Sequence, residues 1–91
     1  MKTRIQVSRY LSKYFNKTGE LEVDLKNNAT VRDLLLVLKD QYEVEIVKNI
    51  KSEVELRRYF IIVIDGTLAR LNDQICEDGK VIKLIPPISG G

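Results

Sequence analysis

Ninety-one residues suffice for one small domain and leave no room for a second core. At 44% hydrophobic and 31% charged residues the composition is that of a globular chain, and a net charge of +2 is too small to argue for nucleic acid. The lack of histidine removes His-based acid–base chemistry and His metal sites. A single cysteine, Cys76, removes an internal disulfide and suits a reducing cytosol. The first seven residues alternate charge and apolarity too quickly for a signal peptide, and no apolar run approaches a membrane span. A cytoplasmic chain with no membrane and no nucleic-acid partner is therefore expected.

Ile5 and Val7 alternate with polar neighbours, as a strand with one buried face would. Tyr10, Leu11, Tyr14 and Phe15 follow as an aromatic-rich loop or short helical turn, and Asn16-Lys17-Thr18-Gly19 reads as the turn of a hairpin. Leu21, Val23 and Leu25 then alternate with Glu20, Glu22, Asp24 and Lys26, which predicts a second strand whose charged side faces water. Asn27-Asn28-Ala29 breaks that pattern. Thr30 stands where a helix N-cap belongs, with Asp33 three residues on to complete a capping box. Val31, Leu34, Leu35, Leu38 and Tyr42 form the stripe of an amphipathic helix, widened by Leu36 and Val37.

Residues 43–59 are the least readable stretch: Ile46, Val47 and Ile50 suggest one face of a short helix, and Lys51, Ser52 and Glu53 read as loop. Phe60-Ile61-Ile62-Val63-Ile64 is apolar on both parities, as a strand covered on both faces would be. Asp65-Gly66 predicts a tight turn into a short strand over 67–71. Residues 72–75 suggest one helical turn, and Asp78-Gly79 redirects the chain into a last strand over 81–85. Strand, strand, helix, strand, short strand, strand is the order of an α+β fold of the β-grasp kind. A mixed sheet of four to five strands would pack on one main helix, as a domain over residues 1–85, with an extended tail over 86–91.

Internal catalysts are poor. Cys76 has no histidine to activate it, and Glu77 and Asp78 beside it disfavour a thiolate. Asp65 and Asp78 precede glycines and read as turn residues, and Arg57-Arg58 beside Glu53 and Glu55 reads as a solvated face. Tyr10, Tyr14 and Phe15 could stack on bases, but no basic groove adjoins them in sequence, so packing is the better reading. One helix covers one sheet face, which leaves the other for a partner. Lys83 marks the Val81, Lys83, Ile85 side as outward, because an unpaired ammonium is costly in a core. One parity of the preceding strand, either Phe60, Ile62 and Ile64 or Ile61 and Val63, lies beside it. The first set is taken as partner-binding with Val81, Lys83 and Ile85.

The strongest chemical signal is Ile85-Pro86-Pro87-Ile88-Ser89-Gly90-Gly91. The prolines hold φ near −65° and project the segment outward, while Gly90 and Gly91 are thin enough to thread a narrow, water-free site. The expected reactive group is the Gly91 carboxylate, with Gly90, Ser89, Ile88, Pro87 and Pro86 as the segment a partner recognises. A frayed, glycine-rich terminus is the bland alternative.

This tail resembles that of the MoaD-type sulfur carriers, the small subunit of molybdopterin synthase, and more loosely the thiamine sulfur carriers and ubiquitin. The likeness continues through Asp78-Gly79-Lys80-Val81-Ile82-Lys83-Leu84-Ile85, through Ile62-Val63-Ile64-Asp65-Gly66 and through Thr30-Val31-Arg32-Asp33-Leu34-Leu35. It implies a ubiquitin-like β-grasp fold with the first and last strands parallel at the sheet centre. It also implies a non-catalytic carrier subunit that binds no cofactor or metal. A MoeB-like, ubiquitin-activating-type enzyme would spend ATP to adenylate Gly91, and sulfur would replace one carboxylate oxygen. The thiocarboxylate would serve a MoaE-like large subunit in molybdenum cofactor biosynthesis. A ubiquitin-like modifier joined through Gly91 to lysines on target proteins, and a plain interaction domain, remain open alternatives. Ser8-Arg9-Tyr10-Leu11 departs from the family, which carries a small-residue and arginine motif there; the bulky Tyr10 alters the docking surface.

Overall fold

The computed structural model describes residues 2–75 and 81–87. β1 (Lys2–Val7) pairs antiparallel with β2 (Gly19–Asp24), in a register that sets Ile5 opposite Leu21. β5 (Ile82–Ile85) lies beside β1 in parallel and beside β3 (Ile61–Ile64) antiparallel, so the sheet runs β2-β1-β5-β3-β4. β4 is Thr67–Leu68, shorter than the strand expected over 67–71. Asp65 and Gly66 join β3 to β4 with φ of 53° and 81°, the double positive pair that a two-residue turn with the strands' own twist requires.

α1 (Val31–Tyr42) crosses one face of this sheet. Its Val31, Leu34, Leu35 and Leu38 are buried with Ile5, Val7, Leu21, Val23, Ile62, Ile82 and Leu84 of the strands. Leu36 departs from the expected stripe: at 51% exposure it points away, since the helical period carries it past the edge of the face. Val37 packs only against the margin of the core. Every fully buried side chain among the described residues is apolar. No helix of the described residues is long and apolar enough to cross a membrane.

The unreadable stretch holds two elements. Glu45–Asn49 is a 3-10 turn that buries Val47, with Ile50 buried just beyond it. α2 (Glu53–Tyr59) begins where loop was expected. Ser52 Oγ accepts from the Glu55 amide at 3.4 Å, and Glu55 Oε1 accepts from the Lys51 amide at 2.9 Å. Glu53 and Glu55 in the first turn and Arg57 and Arg58 in the last suit the helix dipole. Leu56 alone is buried within this helix, so apolar spacing could not reveal it. The helical turn expected over 72–75 is also absent. There the chain forms a turn and a bridge, Gln74 to Thr30, over the start of α1. The Val31 and Arg32 amides donate to the Asp73 and Leu71 carbonyls at 2.9 and 3.0 Å. Two of the helix's unpaired first-turn donors are thereby satisfied from another part of the chain.

Thr30 caps α1 as expected. Its amide donates to Asp33 Oδ2 at 2.9 Å, and the Asp33 amide donates back to Thr30 Oγ1 at 3.3 Å. Thr30→Ala is expected to cost about 1 kcal/mol, read as a lower urea midpoint with unchanged slope. Asp33 adds a pH signature. The backbone hydrogen bond from Thr30 holds its carboxyl below the ordinary 3.8, with help from the Lys26 charge and the Thr30 hydroxyl against the effect of desolvation. Because the folded value lies below the unfolded one, this stabilisation is whole above pH 3.8 and is lost as pH falls through the folded value. Acid titration of stability should therefore be shallower below that pH in Asp33→Asn than in the parent.

Candidate functional site

The root of the tail is built by three segments that end together. β5 runs parallel to β1, so the carboxyl ends of both strands share one side of the sheet, and the Ser8 amide donates to the Leu84 carbonyl at 3.0 Å. On the other flank Ile85 stands opposite Ile61, which puts the chain around Phe60 beside the point where Pro86 leaves the sheet. Pro86 and Pro87 are half-buried and follow β5 without regular structure. Ile88, Ser89, Gly90 and Gly91 lie outside the described residues, as do Cys76 and the Asp78-Gly79 turn.

The face of the sheet opposite α1 carries the rest of the site. Register puts Val63 opposite Lys83 and Leu68, and Lys83 beside Gln6. Ile61, Val63 and Ile85 are half-buried and are not packed into the core, Val81 and Leu68 are 44% and 48% exposed, and Lys83 is exposed. A shallow depression of about 250 Å³ lies along this face toward the tail root, lined by Gln6, Val7, Ser8, Lys83, Leu84 and Ile85. An exposed ion pair, Arg4 Nε to Glu20 at 3.5 Å, borders the apolar area. The surface is therefore apolar with one central ammonium, which suits a partner that covers it with its own apolar groups and offers Lys83 an acceptor.

Val81, Lys83 and Ile85 sit where the sequence puts them, but Phe60, Ile62 and Ile64 do not belong with them. Phe60 and Ile62 are 0% and 1% exposed, and Ile64 packs against the core. Antiparallel pairing with β5 sets Ile62 opposite Leu84 and Ile64 opposite Ile82, both inward residues, and Phe60 meets Phe15 edge-on at 5.6 Å. The outward parity is Ile61 and Val63, joined by Leu68. The sequence carried both parities equally, and the β3–β5 register that separates them is a long-range fact.

Residues 9–91 match the ThiS family. Three solved structures share the fold along nearly the whole chain. SAMP1 of Haloferax volcanii is 23% identical with a TM-score of 0.74, covering 100% of both chains. The putative molybdopterin converting factor subunit 1 of Pyrococcus furiosus is 21% identical with a TM-score of 0.71, covering 97% of this chain and 99% of that one. In the complex of molybdopterin-converting factor subunits 1 and 2 from Helicobacter pylori, the matching chain is 21% identical with a TM-score of 0.58, again covering 100% of both. At these identities the likeness establishes the ubiquitin-like β-grasp fold and nothing finer. No curated protein matches the chain.

The two parities of β3 make opposite predictions for stability. Phe60→Ala should destabilise by about 3–5 kcal/mol, whereas Lys83→Glu should change stability by no more than about 0.5 kcal/mol. Urea unfolding of both variants checks the assignment; a Lys83→Glu protein that loses its cooperative transition would reverse it.

Proposed function

The chain belongs to the ThiS family, and on that footing we propose that it is a sulfur carrier whose terminal glycine is activated by adenylation and converted to a thiocarboxylate. The observation that supports this most is the join between Ile85 and Pro86. A strand paired on both sides gives way to two prolines and then Ile88-Ser89-Gly90-Gly91. A paired strand followed by two prolines restricts the start of the segment, and the glycines at its end are small enough to enter a narrow site. That limits the conformational freedom lost when a partner takes up the tail.

The chemistry asked of this chain is small. A Gly91 carboxylate oxygen attacks the α-phosphorus of ATP in the partner's site, pyrophosphate leaves, and the acyl-adenylate carries a good leaving group. A hydrosulfide-level nucleophile attacks the carbonyl carbon, and AMP departs with the former carboxylate oxygen. The thiocarboxylate sulfur is a softer and stronger nucleophile than the oxygen it replaces. Acids, bases and metal ions belong to the partner; the chain contributes a tethered acyl group and the outer sheet face. We assign that face, centred on Val63, Lys83 and Ile85, to docking of an activating enzyme of the ubiquitin-activating type.

By analogy with the two-subunit complex from Helicobacter pylori, a larger synthase subunit would receive the sulfur on the same face, with a molybdopterin precursor as acceptor. A reducing, cytoplasmic setting suits a thiocarboxylate, which oxidants would consume. Conjugation of Gly91 to lysines, as the name modifier implies for a protein of this fold from Haloferax volcanii, begins with the same adenylate and is the second reading.

Adding one alanine after Gly91 should abolish ATP–pyrophosphate exchange by the activating enzyme while leaving the urea unfolding curve unchanged. Continued exchange by that variant would sink the proposal. Intact-mass analysis of the protein from its own cells separates the two readings. A carrier accumulates with one oxygen replaced by sulfur, whereas a modifier appears as a diglycine remnant on substrate lysines after proteolysis.

A further inference from the structure

Two features that look unrelated in the sequence meet at the root of the tail. The 3-10 turn Arg9–Leu11 and the residues after it carry Arg9, Tyr10, Lys13 and Tyr14, while the last turn of α2 carries Arg57, Arg58 and Tyr59. Tyr14 and Tyr59 join them, ring edge to ring face, with centroids 5.4 Å apart and planes at 85°. The Arg9 guanidinium lies 5.3 Å from the centre of the Tyr10 ring and Lys13 Nζ lies 5.1 Å from that of Tyr14. Both distances are within the reach of a cation–π contact. Tyr10 is 71% exposed, far more than packing would require.

None of Arg9, Lys13, Arg57 and Arg58 pairs with a carboxylate among the described residues. Glu53 and Glu55, which in sequence look like counter-charges for Arg57 and Arg58, are committed at the opposite end of α2. Glu55 accepts from the Lys51 amide, and Glu53 Oε1 accepts from the Leu71 amide. In a chain whose net charge is only +2, four unpaired cations among three tyrosines are a local concentration. The Arg9 guanidinium also donates from Nη2 to the Tyr10 hydroxyl at 3.5 Å, which holds it in place and leaves its other donors for a carboxylate.

We propose that Arg9 and Lys13 with Tyr10, Tyr14 and Tyr59, flanked by Arg57 and Arg58 on the adjoining last turn of α2, form a collar that docks an acidic protein surface at the mouth of the site receiving the tail. This rests on the reading that the tail enters a partner. From Pro86 to Gly91 the extended chain reaches about 20 Å at most. A partner that holds Gly91 in a closed site must therefore bring its entrance against the residues around Ser8, Ile85 and Phe60, which this collar flanks. Only a protein can enclose the terminus, so the charge complement belongs to a protein and not to a nucleic acid. The collar would steer encounter and set its salt dependence, and the apolar sheet face would supply the buried contacts.

The test uses the ¹⁵N-labelled full chain titrated with an oligoglutamate peptide, and separately with a single-stranded oligoribonucleotide of equal charge, at low and physiological ionic strength. The peptide is expected to shift amides of residues 9–14 and 57–59 before those near Lys26, Lys39 or Lys83. Affinity should fall several-fold as salt rises, and about tenfold in the Arg9→Glu, Arg57→Glu double variant. Shifts spread over all lysines, or a stronger response of the same residues to the oligoribonucleotide, would overturn the proposal. The same titration on a chain ending at Pro87 has no reactive terminus, so it reads the collar alone. A chain that binds the peptide at the collar yet is never adenylated would fault the carrier reading and leave the collar standing.

Discussion

Parallel pairing of β1 with β5 is the constraint on which the rest of the molecule depends. Two strands at opposite ends of the chain occupy the middle of the sheet, with Ile5 opposite Ile82 and Val7 opposite Leu84, all four buried. Parallel neighbours cannot be joined by a tight hairpin, so everything between them must cross over. α1 is part of that crossover, and its apolar stripe covers the inward side chains of both strands. Because the two strands run the same way, the segment after β1 and the segment after β5 emerge side by side. The tail root and the Arg9–Leu11 turn are neighbours for that reason, and antiparallel pairing of β3 with β5 adds the start of β3.

The amino end of α1 shows a second dependence on distant chain. The capping box of Thr30 and Asp33 is local, but the amides of Val31 and Arg32 are satisfied by carbonyls of Asp73 and Leu71, and Ile75 returns a bond to Ala29 at 2.7 Å. Glu53 braces the same loop through the Leu71 amide, while its second oxygen is buried without a hydrogen bond among the described residues. At the other end of the helix, Tyr42 and Gln41 reach the outer edge of β2. The Tyr42 hydroxyl donates to the Glu22 carbonyl at 2.7 Å and accepts from its amide at 3.3 Å, and Gln41 Nε2 donates to the same carbonyl at 3.0 Å. An open strand edge invites pairing with another chain, and these side chains occupy it.

Function divides along the same line as the fold. The inward face of the sheet is buried under α1 and the segments packed around it, which leaves the outward face, the tail and the outer helix surfaces for a partner. Those regions carry Arg9 and Lys13 beside the tail root, the half-buried Ile61, Val63 and Ile85, and the proline pair.

What the sequence determined by itself was carried by its clearest local patterns. Alternation of Leu21, Val23 and Leu25, the Thr30–Asp33 cap, the stripe from Val31 to Leu38 and the Asp65-Gly66 turn each involve residues within a few positions of one another. The physics that reads them, side-chain period and backbone angle, is equally local. Where the pattern was too short to repeat, as in α2 with Leu56 alone buried, or where both parities were apolar, as in 60–64, local reading had nothing to choose with. Tertiary structure decided those cases. Pairing with β5 turned Phe60, Ile62 and Ile64 inward and left Ile61 and Val63 outside. Packing of Tyr14 on Tyr59 brought the last turn of α2 beside the segment that carries Arg9 and Lys13. Register and docking depend on residues tens of positions apart, whose meeting is settled by burial of the whole core and not by any one segment's preference.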